Sequence, residues 1–281
     1  MNSGRTTIWL NGDFTPLDKA RISPLDRGLL YGDGLFETIR ADGGKIACLA
    51  MHLERLEASL SEFRIKLDPV PDWKPILNRL LSENELTQGI GAIKIIVTRG
   101  ISTSPGLPAP AKPTVCVIAV PYDPPPPRMY EKGCKLHVYR QGYPPPLARF
   151  KSLNYLYYLT ARQAALDAGC DMAVIVDQSG LVTETCTGSL IARTDGRWWT
   201  PESRFQLPGT TIRSLSAILE NAGFKVESRL ARPEDFHSAD TVWTLNSLIG
   251  IMPVAQFDEQ RVPNPAQAEA AHLRDRLFEL A

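Results

Sequence analysis

The sequence predicts an α+β protein of two domains. Three observations carry this. Strand-like runs dominate, helical periodicities are scattered among them without strict βαβ alternation, and a proline run breaks the chain near its middle. The chain has 281 residues, 43% hydrophobic and 22% charged, which suffices for two cores and argues against wholesale disorder.

The first segment reads as β-rich. Residues 7–10 form a strand, and Asn11-Gly12 is a hairpin signal. Residues 35–40 and 45–48 make a second hairpin around Asp42-Gly43-Gly44. Leu53, Leu56, Leu60 and Phe63 then recur at helical spacing, and a second helix runs from 73 to about 86. Two strongly β-like runs follow, 92–98 and 114–120. Four prolines at 124–127 favour extended geometry and exclude a helix or sheet interior. They place a linker at 122–133 between a small domain, 1–121, and a larger one, 134–281. The second segment opens with a strand at 135–140 and a proline cluster at 144–146. A helix over 154–168 is stopped by Gly169. A hairpin joins 173–176 to 181–183 around Gln178-Ser179-Gly180. Strands at 189–193 and 198–200 precede a helix over 210–222, and runs at 224–228, 241–245 and 251–257 complete the pattern.

Composition narrows the function. Lys+Arg and Asp+Glu both number 31, so there is no electrostatic footprint for nucleic acid or an anionic membrane. A basic site must be local, built for a small anion. The five cysteines are odd in number and form no C-x-x-C pair, which argues against a disulfide framework or a zinc site. The histidines do not fall at metal-ligand spacing, so no metal is expected. No phosphate-binding Walker loop or G-x-G-x-x-G is present. The N-terminal residues lack a signal-peptide pattern, and no apolar run reaches the roughly 20 residues that span a bilayer. A soluble cytoplasmic protein is expected.

Four segments stand out for chemistry. Arg27 to Arg40 contains Gly32-Asp33-Gly34 and then Phe36-Glu37-Thr38-Ile39-Arg40. Alone it reads as a turn before a strand. His52-Leu53-Glu54-Arg55-Leu56 puts an arginine near the buried edge of a helix, where it could fork onto a phosphate. Phe150-Lys151-Ser152-Leu153-Asn154 places a lysine where desolvation would free its amine for imine formation, although a surface lysine fits the local pattern too. Val182-Thr183-Glu184 precedes Leu207-Pro208-Gly209-Thr210-Thr211, a glycine and two hydroxyls at a helix start, which suit an anion or an ordinary cap.

In this order the segments resemble the fold-type IV pyridoxal-phosphate enzymes, the class-IV aminotransferase family, from about residue 8 to 257. The resemblance implies a small α/β N-terminal domain and a larger strand-rich C-terminal domain. It implies pyridoxal 5'-phosphate as cofactor and a homodimer acting on a small amino substrate. Lys151 matches the Schiff-base lysine that shuttles protons, and Glu184 the carboxylate facing the pyridine nitrogen. Arg55, Thr210, Thr211 and Ser247 match the phosphate ligands. Tyr155 lies near the position of a tyrosine on the ring hydroxyl. Tyr31 is a candidate substrate contact.

Within the family, Leu245-Asn246-Ser247-Leu248-Ile249-Gly250-Ile251-Met252-Pro253-Val254 resembles the 4-amino-4-deoxychorismate lyases, with Asn246 as a polar substrate contact. Thr38 sits where those lyases carry a threonine near the reacting carbon and many branched-chain enzymes carry glycine. The loop after Thr98-Arg99-Gly100 lacks the R-x-H of well-known D-amino-acid transaminases. It also lacks the second arginine that lyases often carry there, which leaves Arg99, Arg149 or Arg40 to bind a substrate carboxylate. A lyase yielding 4-aminobenzoate and pyruvate for folate synthesis is the leading reading. A transaminase of D-amino acids or related amines is the alternative, and a non-catalytic cofactor-binding protein the remote one.

Overall fold

Alternation of apolar residues builds the first sheet of the computed structural model, which describes residues 6–109, 112–263 and 266–279. The strands are β1 (Thr7–Leu10), β2 (Asp13–Pro16), β3 (Gly34–Asp42), β4 (Lys45–Ile46), β5 (Ile90–Thr98) and β6 (Thr114–Pro121). They pair antiparallel in the order β2-β1-β6-β5-β3-β4. Every second residue of the long strands is buried. Leu35, Ile39, Ala41, Ile93, Ile95, Val97, Val115, Val117 and Ala119 share one core with two helices. These are α2 (Leu49–Glu62) and α3 (Trp73–Glu83), which bury Leu56 and Leu60, and Trp73, Leu77, Leu80 and Leu81. That spacing gives one apolar stripe per helix.

The stretch before β3 departs from the expected simple turn. Arg27–Tyr31 forms a short helix, α1. The Asp26 side chain caps it by accepting from the Gly28 amide, and Gly32 ends it at φ 66°. A left-handed residue closing a helix favours glycine.

This unit contains the chain up to Asp123 together with Phe150–Asn154, while Pro124–Arg149 and the chain from Tyr155 onward form a second unit. The second opens with α4 (Pro127–Lys132), whose first residue is a proline. That position lacks an amide partner anyway, so the missing N–H costs nothing there. Its sheet runs β12 (Val226–Arg229), β11 (Arg197–Pro201), β10 (Ser189–Thr194), β13 (Thr241–Asn246), β14 (Gly250–Phe257), β7 (Cys134–Tyr139), β8 (Met172–Val176) and β9 (Val182–Thr185), with β15 (Gln260–Arg261) paired to β14. The β14–β7, β7–β8 and β11–β12 pairs are parallel, so the sheet is mixed. Helix α5 (Leu156–Asp167) buries Tyr158, Ala161 and Ala165 in one core. Phe236 of α7 (Pro233–His237) joins that core. Helix α6 (Thr210–Asn221) and α8 (Gln267–Glu279) cover Trp198, Trp243 and Ile251 in another. The sequence reading ends at residue 257 and does not anticipate α8, although Ala270, Leu273 and Leu277 carry helical spacing and are its buried face.

The two units thus give the expected α+β architecture, strand-rich in the second. No helix among the described residues is long and apolar enough to cross a membrane. Leu80 has no exposed surface. Leu80→Ala is expected to lower stability by about 2–5 kcal/mol, the usual range for a cavity in a packed core. A shift in urea midpoint at unchanged slope checks this.

Candidate active site

The lysine-bearing segment adds to an edge of β3. Leu35 bridges Ser152 antiparallel. The Phe36 amide donates to the Lys151 carbonyl and the Leu153 amide to the Gly34 carbonyl, each at 2.9 Å. This register sets Lys151 beside Phe36, and side chains of neighbouring partners share a face. The Lys151 Nζ accordingly lies 4.5 Å from the centre of the Phe36 ring. Thr38, two residues along β3, has the same facing. Its partner across the sheet is Lys94, whose Nζ is 4.7 Å from the same ring. The register of β3 with β5, strands far apart in the chain, sets Lys94 there.

Arg55 meets β3 at Glu37. Its Nε and Nη2 fork onto the two Glu37 oxygens at 2.8 and 2.6 Å. The His52 Nδ1 lies 2.7 Å from Glu37 Oε2, in a donor role if the imidazole is neutral with its proton on Nδ1. Burial pushes Glu37 toward the neutral acid, but hydrogen bonds from His52 and Arg55 outweigh it and hold the carboxyl below its ordinary 4.5. Burial also pushes His52 below its ordinary 6.5, and Glu37 offsets only part of that.

Arg99 is held inside the first unit. The sequence offered it as a substrate-carboxylate ligand, yet it is fully buried. Its Nε donates to Asp33, Nη1 to the Pro108 carbonyl and Nη2 to the Phe63 carbonyl. Its guanidinium is engaged in holding the protein together. Arg27 binds the same Asp33 oxygen and the carbonyls of Ser104 and Gly106. Burial raises the Asp33 pKa, but the two arginines lower it more, to a net value under 3.8. Tyr31 is exposed, with Arg27 stacked 5.0 Å from its ring centre. Arg40 is buried and pairs with Asp42 at 2.9 Å.

In the second unit Glu184 is buried in β9. Its Oε1 accepts from the Tyr158 hydroxyl at 3.0 Å and its Oε2 from the Leu207 amide at 3.2 Å. The second bond ties the carboxylate to the turn that starts α6. The N-cap there is Gly209, so no cap side chain accepts from the first-turn amides, and buried Thr210 and half-buried Thr211 are the first helical residues. Tyr155 stacks on Tyr158 at 5.0 Å and donates its hydroxyl to the Cys186 carbonyl. Burial, then the Glu184 charge, push both phenol pKa values up. Asn246 and Ser247 lie at the β13–β14 turn, where the Asn246 Oδ1 accepts from the Leu248 and Ile249 amides.

The buried groups make stability depend on pH. Glu37 and Asp33 have depressed folded pKa values, so each stabilises the fold above its unfolded value, 4.5 and 3.8, and the contribution is lost as pH falls through the folded value. His52 is held neutral in the fold, so stability is also lost as pH falls below 6.5. Denaturant midpoints are expected to fall from pH 7 to 5 and more steeply below 5. His52→Gln is expected to flatten the upper part only.

A family model described as amino-transferase class IV matches residues 34–257, from the start of β3 to the end of β14. The chain is 30% identical over 264 residues to the D-alanine aminotransferase of Staphylococcus epidermidis, covering 92% of this chain and 91% of that protein. It is 29% identical over 256 residues to the aminodeoxychorismate lyase of Vibrio harveyi, covering 88% and 90%. Its fold matches a T.th. branched-chain amino acid aminotransferase complexed with N-(5'-phosphopyridoxyl)-L-glutamate, with a TM-score of 0.82 and 25% identity over 97% of this chain and 93% of that one. The match to the family model runs through Lys151 and Glu184 and covers most of the chain: this protein belongs to the class IV amino-transferase family.

Proposed function

We propose that the protein is a pyridoxal-phosphate-dependent 4-amino-4-deoxychorismate lyase that releases 4-aminobenzoate and pyruvate and works as a homodimer. The observation that carries the lyase reading is Thr38. Its hydroxyl shares a sheet face with the Lys151 amine, at a position where the resembling lyases carry threonine.

The residues present suit pyridoxal 5'-phosphate. A helix that opens on glycine and two threonines is a phosphate site by charge and by hydrogen bonding. A buried carboxylate with both oxygens anchored suits a protonated ring nitrogen. When bound, the cofactor supplies an electron sink for the pair left on the amine-bearing carbon.

The chain's own groups do the rest. Arg55, Thr210, Thr211 and Ser247 take the phosphate, Arg55 with its plane set by Glu37. Glu184 keeps a proton on the pyridine nitrogen, and Tyr158 and Leu207 keep Glu184 oriented. The Tyr155 hydroxyl donates to the Cys186 carbonyl, which leaves its oxygen able to accept from the ring hydroxyl. Lys151 takes the proton from the amine-bearing carbon of the substrate. The Thr38 hydroxyl hydrogen-bonds the ether oxygen as the carbon–oxygen bond breaks. Pyruvate leaves as its enol and the ring becomes aromatic. Tyr31 and Asn246 contact the substrate. Leu25, Leu29, Leu30 and Tyr31 are exposed around α1, apolar surface that suits a second copy of the chain.

A second reading, transamination of D-amino acids, is favoured by the 30% identity to the D-alanine aminotransferase, against 29% to the lyase. Two assays separate the readings. Pyruvate and 4-aminobenzoate are expected from 4-amino-4-deoxychorismate with no 2-oxo acid added, and Lys151→Ala is expected to abolish their release. No release from protein that shows cofactor absorbance would reject the lyase and turn the search to D-alanine with 2-oxoglutarate. Glu184→Gln is expected to lower kcat by about a hundredfold or more, the scale of a lost proton-holding group, with cofactor still bound.

A further inference from the structure

The end of α2 and the chain leading into α3 line a cavity of about 590 Å³, within the size range of small-molecule sites. Most of its wall is apolar. Leu56, Leu60, Ile65 and Trp73 are buried there, Leu67 is half-buried, and Val70 is 60% exposed. The lining comes from residues 56 to 73 of the first unit, and none of it belongs to the residues proposed for cofactor or substrate.

The charges in that lining are Arg64, Lys66 and Glu57, a net single positive charge. Lys66 pairs with Asp68 at 3.2 Å, in an exposed contact. The Arg64 side chain has no partner among the described residues. Its backbone closes α2 in the left-handed region, at φ 56°. The Arg64 amide donates to the Ser61 carbonyl at 3.0 Å and the Ile65 amide to the Leu60 carbonyl at 2.9 Å. Glycine fits such a backbone without strain, so what an arginine adds there is its side chain. A guanidinium beside an apolar wall with an indole complements a flat apolar molecule that ends in one carboxylate. A dianion would meet Glu57 as well.

We infer that this cavity is a second ligand site, separate from the one proposed for catalysis, and that it takes an aromatic monocarboxylate of about two fused rings. The rings lie against Trp73, Leu56 and Leu60, and Arg64 holds the carboxylate. Such binding is independent of whether Lys151 serves a lyase or a transaminase.

The test compares cofactor-loaded wild type with Arg64→Gly and Ser61→Trp. Arg64→Gly removes the cation while suiting the left-handed backbone, so a thermal midpoint at or above that of the wild type shows the fold intact. Ser61 is exposed on α2 and lines the cavity, so an indole in its place fills the space. Calorimetry counts sites and affinities for 1-naphthaleneacetate and for its neutral amide, 1-naphthaleneacetamide. A lost charge-assisted hydrogen bond predicts affinity for the acid about ten- to a hundredfold lower in Arg64→Gly, with that for the amide within about threefold. Ser61→Trp should lose the site for both. Unchanged affinity for the acid in Arg64→Gly, equal weakening of acid and amide, or a full count of sites in Ser61→Trp would overturn the inference. So would a lower sedimentation coefficient in either variant, because a second copy of the chain would then be what covers this face.

Discussion

Everything proposed for the reactive amine depends on one short pairing. Residues from beyond the first sheet's own strands lie along β3 and exchange two backbone hydrogen bonds with it. Strand side chains alternate with a period of two, so a slip of one residue would turn Lys151 away from Phe36. Both ends of the segment are pinned against that slip. Phe150 packs edge-on against Phe63 with ring centres 4.9 Å apart. Asn154 donates its Nδ2 to the Gly32 carbonyl at 3.1 Å. Gly32 itself is the left-handed end of α1, so the glycine cluster before β3 also serves as the dock for the lysine segment.

Two buried charge clusters give that sheet its polar definition. Arg27 and Arg99 share Asp33, and Arg55 and His52 share Glu37. A buried arginine is costly unless it is paired and its donors are filled. Here the filling partners are carboxylates and loop carbonyls, so each arginine constrains several segments at once. Arg99 and Arg27 together fasten carbonyls at 63, 104, 106 and 108. The Glu37 fork fixes the plane of Arg55, which a single-point contact would leave free to rotate.

The second unit prepares its carboxylate by packing. Glu184 lies on a strand buried along its whole length. Its hydroxyl donor comes from Tyr158, which is locked between Tyr155 and Tyr157 at ring distances of 5.0 and 5.4 Å. Aromatic contacts thus set the aim of an acid, and the Leu207 amide sets the turn that leads into α6.

The strands and most helices were legible because they obey local rules. The period of two at 92–98 and the spacing of Trp73, Leu77, Leu80 and Leu81 belong to the residues themselves. The class IV motifs were legible as residue types in order. The neighbours of those residues were not. Lys94 looks like any solvated lysine until the β3–β5 register sets it across from Thr38. Arg99 looks available until a buried aspartate and two distant carbonyls occupy it. The short helix α1 hides in a glycine-rich stretch because its cap, Asp26, is itself held by Thr98 and Thr114, 72 and 88 residues away. Local periodicity and residue chemistry by themselves determined the elements and the reactive groups on offer. Only the tertiary structure decided which charges are engaged and which faces are shared, because pairing and burial depend on contacts between residues far apart in the chain.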